Sequence, residues 1–129
     1  MSVVIQGIDR LNAKFDKVQQ RSILRPPMQR SLYRLVRRMA TYPNAPSGSR
    51  YVRQGILGKG WHAPPIKEFP NGLEGRVANK VIYGPWVQSQ RFQTALHRRT
   101  GWTTDEMAIR ELEREIVADF ERAIREALR

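Results

Sequence analysis

The chain has 129 residues and no cysteine, and its 23 lysines and arginines against 12 carboxylates give a net charge of +11. That length fits one modest hydrophobic core, and the missing thiols exclude disulfides and thiolate metal sites. No apolar run approaches membrane-spanning length and no charged leader precedes the first apolar residues, so a soluble single domain (1–129) is expected, working in a cytoplasm or in something assembled there.

In chain order, Val3, Val4 and Ile5 form a short β-prone start. The basic part, 7–42, is helical by pattern. Asp9 opens a run in which Leu11, Phe15 and Val18 recur at helical spacing, with Arg10, Lys14, Lys17 and Arg21 elsewhere on the cylinder. Pro26 and Pro27 interrupt it, because proline has no amide to donate and restricts the residue before it. Proline is also welcome in a first helical turn. The two segments are therefore either separate helices or one kinked rod. From Pro27 to about Tyr42, Met28, Leu32, Leu35, Met39 and Tyr42 share a narrow apolar arc, and Arg30, Arg34, Arg37 and Arg38 lie on the far side.

Residues 42–49, with two prolines, a glycine and several small polar residues, read as a loop. The sheet is expected within 50–88. Its first part is strand-like but rich in glycine. Pro64 and Pro65 limit 61–69 to an edge or a bend, and Asn71 with Gly72 is a hairpin signal because both central positions of a type I′ turn need positive φ. Residues 73–78 would return along the hairpin. A further strand over 81–88 would follow, weakened or bulged at Pro85. Residues 90–102 are polar and mixed, a loop with one turn of helix.

Thr103 and Glu106 have the spacing of a capping box and open the C-terminal helix, 103–129. Ile109, Leu112, Ile116, Phe120, Ala123, Ile124, Ala127 and Leu128 fall on one face, and Glu111, Glu115, Asp119, Arg122, Glu126 and Arg129 fall opposite. Glu113 interrupts the apolar arc. Either the arc is wider than the core and Glu113 sits at its wet edge, or an arginine of a neighbouring copy pairs with it. The order of elements points to an α+β fold: an N-terminal amphipathic helix or helix pair, a small antiparallel sheet of three to four strands, and a long C-terminal helix packed on that sheet.

Charge is unevenly divided. From Asp105 onward there are eight acidic and five basic residues, while the preceding part has four acidic and eighteen basic. This asymmetry suits either a polyanion partner or self-association between unlike surfaces. Catalysis is disfavoured, since His62 and His97 have no metal-ligand spacing and the glycines of GILGKG (Gly55, Gly58, Gly60) lack the Walker order. Sequence-independent nucleic-acid binding fits better, with the arginines of 30–38 and those near Trp61 on phosphates and Tyr51, Trp61, Tyr83, Trp86 and Phe92 available for stacking. Those aromatics are equally suited to a core. Trp61 and Trp86 in particular occupy positions where packing is the commoner role.

Three stretches carry a likeness: SGSRYVRQGILGKGW (47–61), VANKVIYGPWVQ (77–88), and the polar spacer with Gln93, His97, Gly101 and Trp102. Together they resemble a family of small minor tail-component proteins of long-tailed bacteriophages, the neck, tail-completion or head–tail joining proteins. In that family a basic helix is followed by a loop, an arginine- and glycine-containing stretch, a small sheet ending in a YxxxVQ-like strand, and a C-terminal helix. This chain departs from the usual single long helix in carrying Pro26 and Pro27. The resemblance implies a virion structural protein of the tail or neck, with no cofactor and no enzymatic activity, assembled in the host cytoplasm. It would form a homo-oligomeric ring between connector and tail proteins, with no membrane partner. Few of its basic residues would face DNA in a channel, because a lumen full of phosphate contacts would hold DNA back.

Closed rings join two different patches of each subunit. The candidates are Arg30, Arg34, Arg37 and Arg38 on one side and Glu111, Glu113, Glu115 and Asp119 on the other. The resemblance further implies packing roles for Tyr51, Leu57, Trp61, Tyr83, Val87 and Trp102.

Overall fold

The computed structural model describes residues 2–6, 17–44, 55–70 and 72–128. Asp9, Arg10, Leu11, Lys14, Phe15, Tyr51, Asn71 and Arg129, named above, lie outside them, as do most of the loop expected over 42–49 and the first residues of the sheet region expected from 50. The elements run β1 (Ser2–Gln6), α1 (Lys17–Met39), α2 (Ile56–Gly60), β2 (Lys67–Phe69), β3 (Gly72–Ala78), α3 (Gly84–Gln88), α4 (Ala95–Arg99) and α5 (Asp105–Ala127). The fold is mixed helix and antiparallel sheet with a long C-terminal helix, as the pattern of elements suggests.

Pro26 and Pro27 lie inside α1, which is one continuous 23-residue helix. Each proline removes an intrahelical hydrogen bond. Burial offsets that loss: Leu24, Met28, Leu32, Leu35 and Met39, spaced by three or four, are all almost completely covered, at roughly 1.5 to 3 kcal/mol per side chain as an upper bound. Ser31 is buried among them, and its hydroxyl donates to the Pro27 carbonyl at 2.8 Å, so it brings no unsatisfied group into the core.

β3 is the central strand, antiparallel to β1 on one side (Ser2↔Ala78 through Gln6↔Glu74) and to β2 on the other (Lys67↔Glu74 through Phe69↔Gly72). Its residues alternate, with Leu73, Gly75 and Val77 buried and Arg76 exposed, as expected of a sheet covered on one face. Gly75 is the point of closest approach to α1. A Cβ there would lie 2.7 Å from Met28 Sδ and 2.9 Å from both Leu32 methyl groups, so the absence of a side chain lets the helix settle on the strand.

α5 does not pack on the sheet as expected. It lies along α1, and α1 in turn lies on β3. The reason is the breadth of α1's apolar surface, which supplies half of a continuous cluster that also takes in Leu73 and Val77 from the strand and Ala108 and Phe120 from α5. Most of the predicted face of α5 packs as expected, with Phe120 in the cluster and Leu112, Ile116 and Ile124 against it, but the edges of that face are shifted. Ala108, Asp119 and Phe120 are buried, while Ile109 and Val117 are left exposed.

Two further expectations fail for local reasons. The strand over 81–88 is replaced by α3: Asn79 Oδ1 accepts from the Val81 amide at 3.0 Å and turns the chain out of the sheet, and Pro85 suits a first helical turn. The glycine-rich stretch before Trp61 is the short helix α2, entered through Gly55 at φ 73°, a backbone conformation that favours glycine. At the start of α5 the capping residue is Thr104, one position later than expected. Its Oγ1 accepts from the Met107 amide at 3.2 Å and donates to Gln90 Oε1 at 2.6 Å.

A buried glutamine ties three elements together. Trp61 Nε1 donates to Gln88 Oε1 at 2.9 Å, and Gln88 Nε2 donates to the Met39 carbonyl at 2.8 Å, satisfying a C-terminal acceptor of α1. Gln88→Leu strands both the indole N–H and that carbonyl. It should cost roughly 2 to 6 kcal/mol, read as a lowered urea midpoint, and a loss under 1 kcal/mol would mean that water replaces the amide.

Candidate functional site

The expected arginine and carboxylate positions do meet, but within one chain. Arg30, Arg34 and Arg38 recur every fourth residue on α1, and Glu111, Glu115 and Asp119 do so on α5, so each set forms a single edge. The edges run antiparallel. Arg30 grips Asp119 with two parallel bonds, Nε to Oδ2 at 2.8 Å and Nη2 to Oδ1 at 2.7 Å, and Arg34 Nη1 adds a third to Oδ2 at 3.0 Å. Farther along, Arg34 Nε lies 3.9 Å from Glu115, and Arg38 Nε donates to Glu111 at 2.7 Å.

The members of this seam differ in weight. The Asp119 side chain is only 4% exposed while that of Arg30 is 51% exposed, so the acid is desolvated and the bases remain wetted. The Arg30 hydrogen bond, aided by Arg34 and opposed by burial, holds the Asp119 carboxyl below its ordinary value. The same bond raises Arg30. Arg38 with Glu111 is a more exposed pair, worth about 0.2 to 1 kcal/mol.

Periodicity alone puts Asp119 on the solvent face, whereas it is buried, and these six residues form ion pairs between α1 and α5 within one chain. Arg37 and Glu113 stand apart. Arg37 is exposed with its guanidinium 5.6 Å from the centre of the Tyr33 ring, and Glu113 is exposed at the wet margin of α5. Neither makes an ion pair among the described residues.

Of the positions implied by the family motifs, Leu57, Trp61 and Val87 are buried, and Trp102 is half-buried and stacked on Tyr42 with ring centroids 4.7 Å apart. Tyr83 is not packed as expected but exposed at the start of α3, because the chain has left the sheet by that point. Gln88, beside Val87 in the VQ pair, is the buried polar link that helical or strand periodicity does not reveal.

His62 is exposed, its Nδ1 3.0 Å from the Gly60 carbonyl, and His97 sits edge-on to Trp102 with Nδ1 2.7 Å from Thr94 Oγ1. Burial pushes the His97 imidazole below its usual value. No group of three or more potential metal ligands occurs among the described residues. An open groove of about 530 Å³ runs between α1 and residues 62–66, lined by Gln29, Tyr33, Pro64 and Pro65, and its Arg25 is paired with Glu68.

A second surface is more distinctive. Ile82, Tyr83, Trp86, Phe92 and Leu96 are all exposed, Trp86 by 52% and Ile82 by 84%. Lys80, Arg91, Arg98 and Arg99 accompany them, and no carboxylate occurs from 79 to 104. The segment is internally braced. The Thr94 amide donates to the Trp86 carbonyl at 2.8 Å, and Gln93 Nε2 bridges the Val87 and Trp102 carbonyls at 2.8 and 3.0 Å.

Compared with protein-family models, curated proteins and solved structures, the chain matches none.

Replacing both Arg30 and Arg34 by Met leaves a buried carboxylate unpaired and should destabilise by about 3 to 5 kcal/mol. Replacing Arg38 should cost under about 1 kcal/mol, and equal losses in urea titrations would contradict the ranking. Because the folded carboxyl of Asp119 lies below its ordinary 3.8, its contribution is complete above that pH and is lost as pH falls through the depressed folded value. Asp119→Asn should therefore flatten the decline in stability below about pH 4; an unchanged slope would assign the decline to other groups.

Proposed function

We propose that this chain is a virion structural protein, a ring-forming subunit that joins the head connector to the tail, with neighbouring connector and tail proteins as partners and no catalytic task. The resemblance of its glycine-containing and VQ stretches to neck and tail-completion proteins gives this reading its identity. One observation carries it further: after the charged seam has been satisfied internally, the chain still presents a broad apolar and basic surface over 80–99, and a row of exposed apolar residues on α5. Clustered exposed apolar residues rimmed by charge suit contact with another protein. In this reading the N-terminal helix on a small antiparallel sheet of three to four strands is the body of the subunit. α5 braces it from outside.

Paired arginines also bear on DNA. Arg30, Arg34 and Arg38 have carboxylate partners, which reduces the positive field that a channel wall of these residues would present. A sequence-independent nucleic-acid-binding protein is the second reading, and what favours it is Trp86 and Phe92 exposed beside Arg91, Arg98 and Arg99.

Negative-stain imaging of the purified protein, alone and on tails, beside a gel shift with plain duplex, separates the two. Rings of uniform diameter without duplex retention at physiological salt are expected. Retention that falls steeply with salt, in the absence of rings, would overturn the structural role.

A further inference from the structure

We propose that the exposed segment 80–99 docks on the outer edge of α5 in a second copy of this chain, an inference that rests on the ring-forming reading above. The receiving edge is Glu106, Ile109, Glu113 and Val117. Successive steps of three, four and four residues put these on one line along the helix. At about 100° per residue that line lies on the opposite side of α5 from the Glu111, Glu115 and Asp119 seam. All four side chains are exposed, and neither glutamate makes an ion pair among the described residues.

Carboxylates therefore alternate with apolar side chains along an edge whose glutamates have no ion-pair partner among the described residues. The complementary surface has aromatic and aliphatic anchors in Trp86, Phe92 and Leu96, with Arg91, Arg98 and Arg99 around them and no acid within the segment. Tryptophan and arginine are the side chains that most often dominate protein interfaces. The match is one of sign and of kind: cation to carboxylate, aromatic to aliphatic.

A chain cannot make this contact with itself. The Gln90 amide donates to Asp105 Oδ1 at 2.9 Å and Thr104 Oγ1 to Gln90 Oε1 at 2.6 Å, so the segment is fastened beside the start of α5 and cannot swing along the helix to Glu113 and Val117. A second copy can supply the missing partner. Such a contact joins two different patches, the kind that closes rings when the rotation between copies permits.

The test uses the full chain in sedimentation velocity, with two charge-reversed variants, E106K/E113K and R98E/R99E. Each alone should weaken self-association roughly tenfold to hundredfold, and an equimolar mixture should regain it, because the reversed charges then meet. Recovery on mixing requires both variants to be folded. Loss in both without recovery overturns the proposal. Self-association unchanged in both also overturns it, and if the wild-type chain still forms rings the structural role survives on another face. A wild-type chain that never self-associates refutes both. Duplex binding by the wild type that R98E/R99E abolishes would instead make segment 80–99 a nucleic-acid surface.

Discussion

A single buried carboxylate governs how the layers of this molecule are arranged. Asp119 sits where α5 closes on α1, almost wholly removed from water, and an unpaired charge in that position would be expelled or neutralised. Arg30 and Arg34 prevent this with three charge-assisted hydrogen bonds while keeping much of their own surface wet. The geometry fixes the rotation of α5, whereas its axial register also needs the apolar packing, since a slip of one turn along α1 would set the acid between Arg34 and Arg38, another pair of arginines on the same edge. Apolar packing supplies most of the attraction, and the charged pair selects the rotation.

From that alignment the other features follow. With its acidic edge turned to α1, α5 presents Ile109, Glu113 and Val117 to solvent, and α1 is the helix that lies on the sheet. Gly75 lets that helix come down onto β3, and Gln88 fastens the far end of α1 to Trp61 and α3. The segment that follows is turned outward by Asn79 and braced by its own amides. Its aromatics are thereby left on display.

Much of this was legible in the amino-acid order. Helical spacing exposes α1 and α5, and a hairpin is found where it was expected, although Gly72 pairs with Phe69 as the first residue of β3 and is not a central turn residue. Three things were not legible, each for a physical reason. A carboxylate at a core position looks like a solvated one until its guanidinium partners, 85 and 89 residues away, are placed beside it. The stretch VIYGPWVQ has the composition of a strand, and only the Asn79 turn and the position of Pro85 make it a helix. Nor does periodicity tell which apolar surface a helix will choose when two are available, so α5 was assigned to the sheet when α1 offered the broader face. For the site the consequence is a reversal: oppositely charged residues that suggest a joint between subunits form a seam inside one.

Whether that seam is internal can be measured directly by a double-mutant cycle on Arg30 and Asp119, followed by urea unfolding across a wide range of protein concentration. The expected result is a coupling energy of about 1.5 to 3 kcal/mol that is the same in dilute and concentrated solution. A coupling near zero, or one that emerges only at concentrations where the chain self-associates, would show that the pair forms between copies and would contradict the arrangement described.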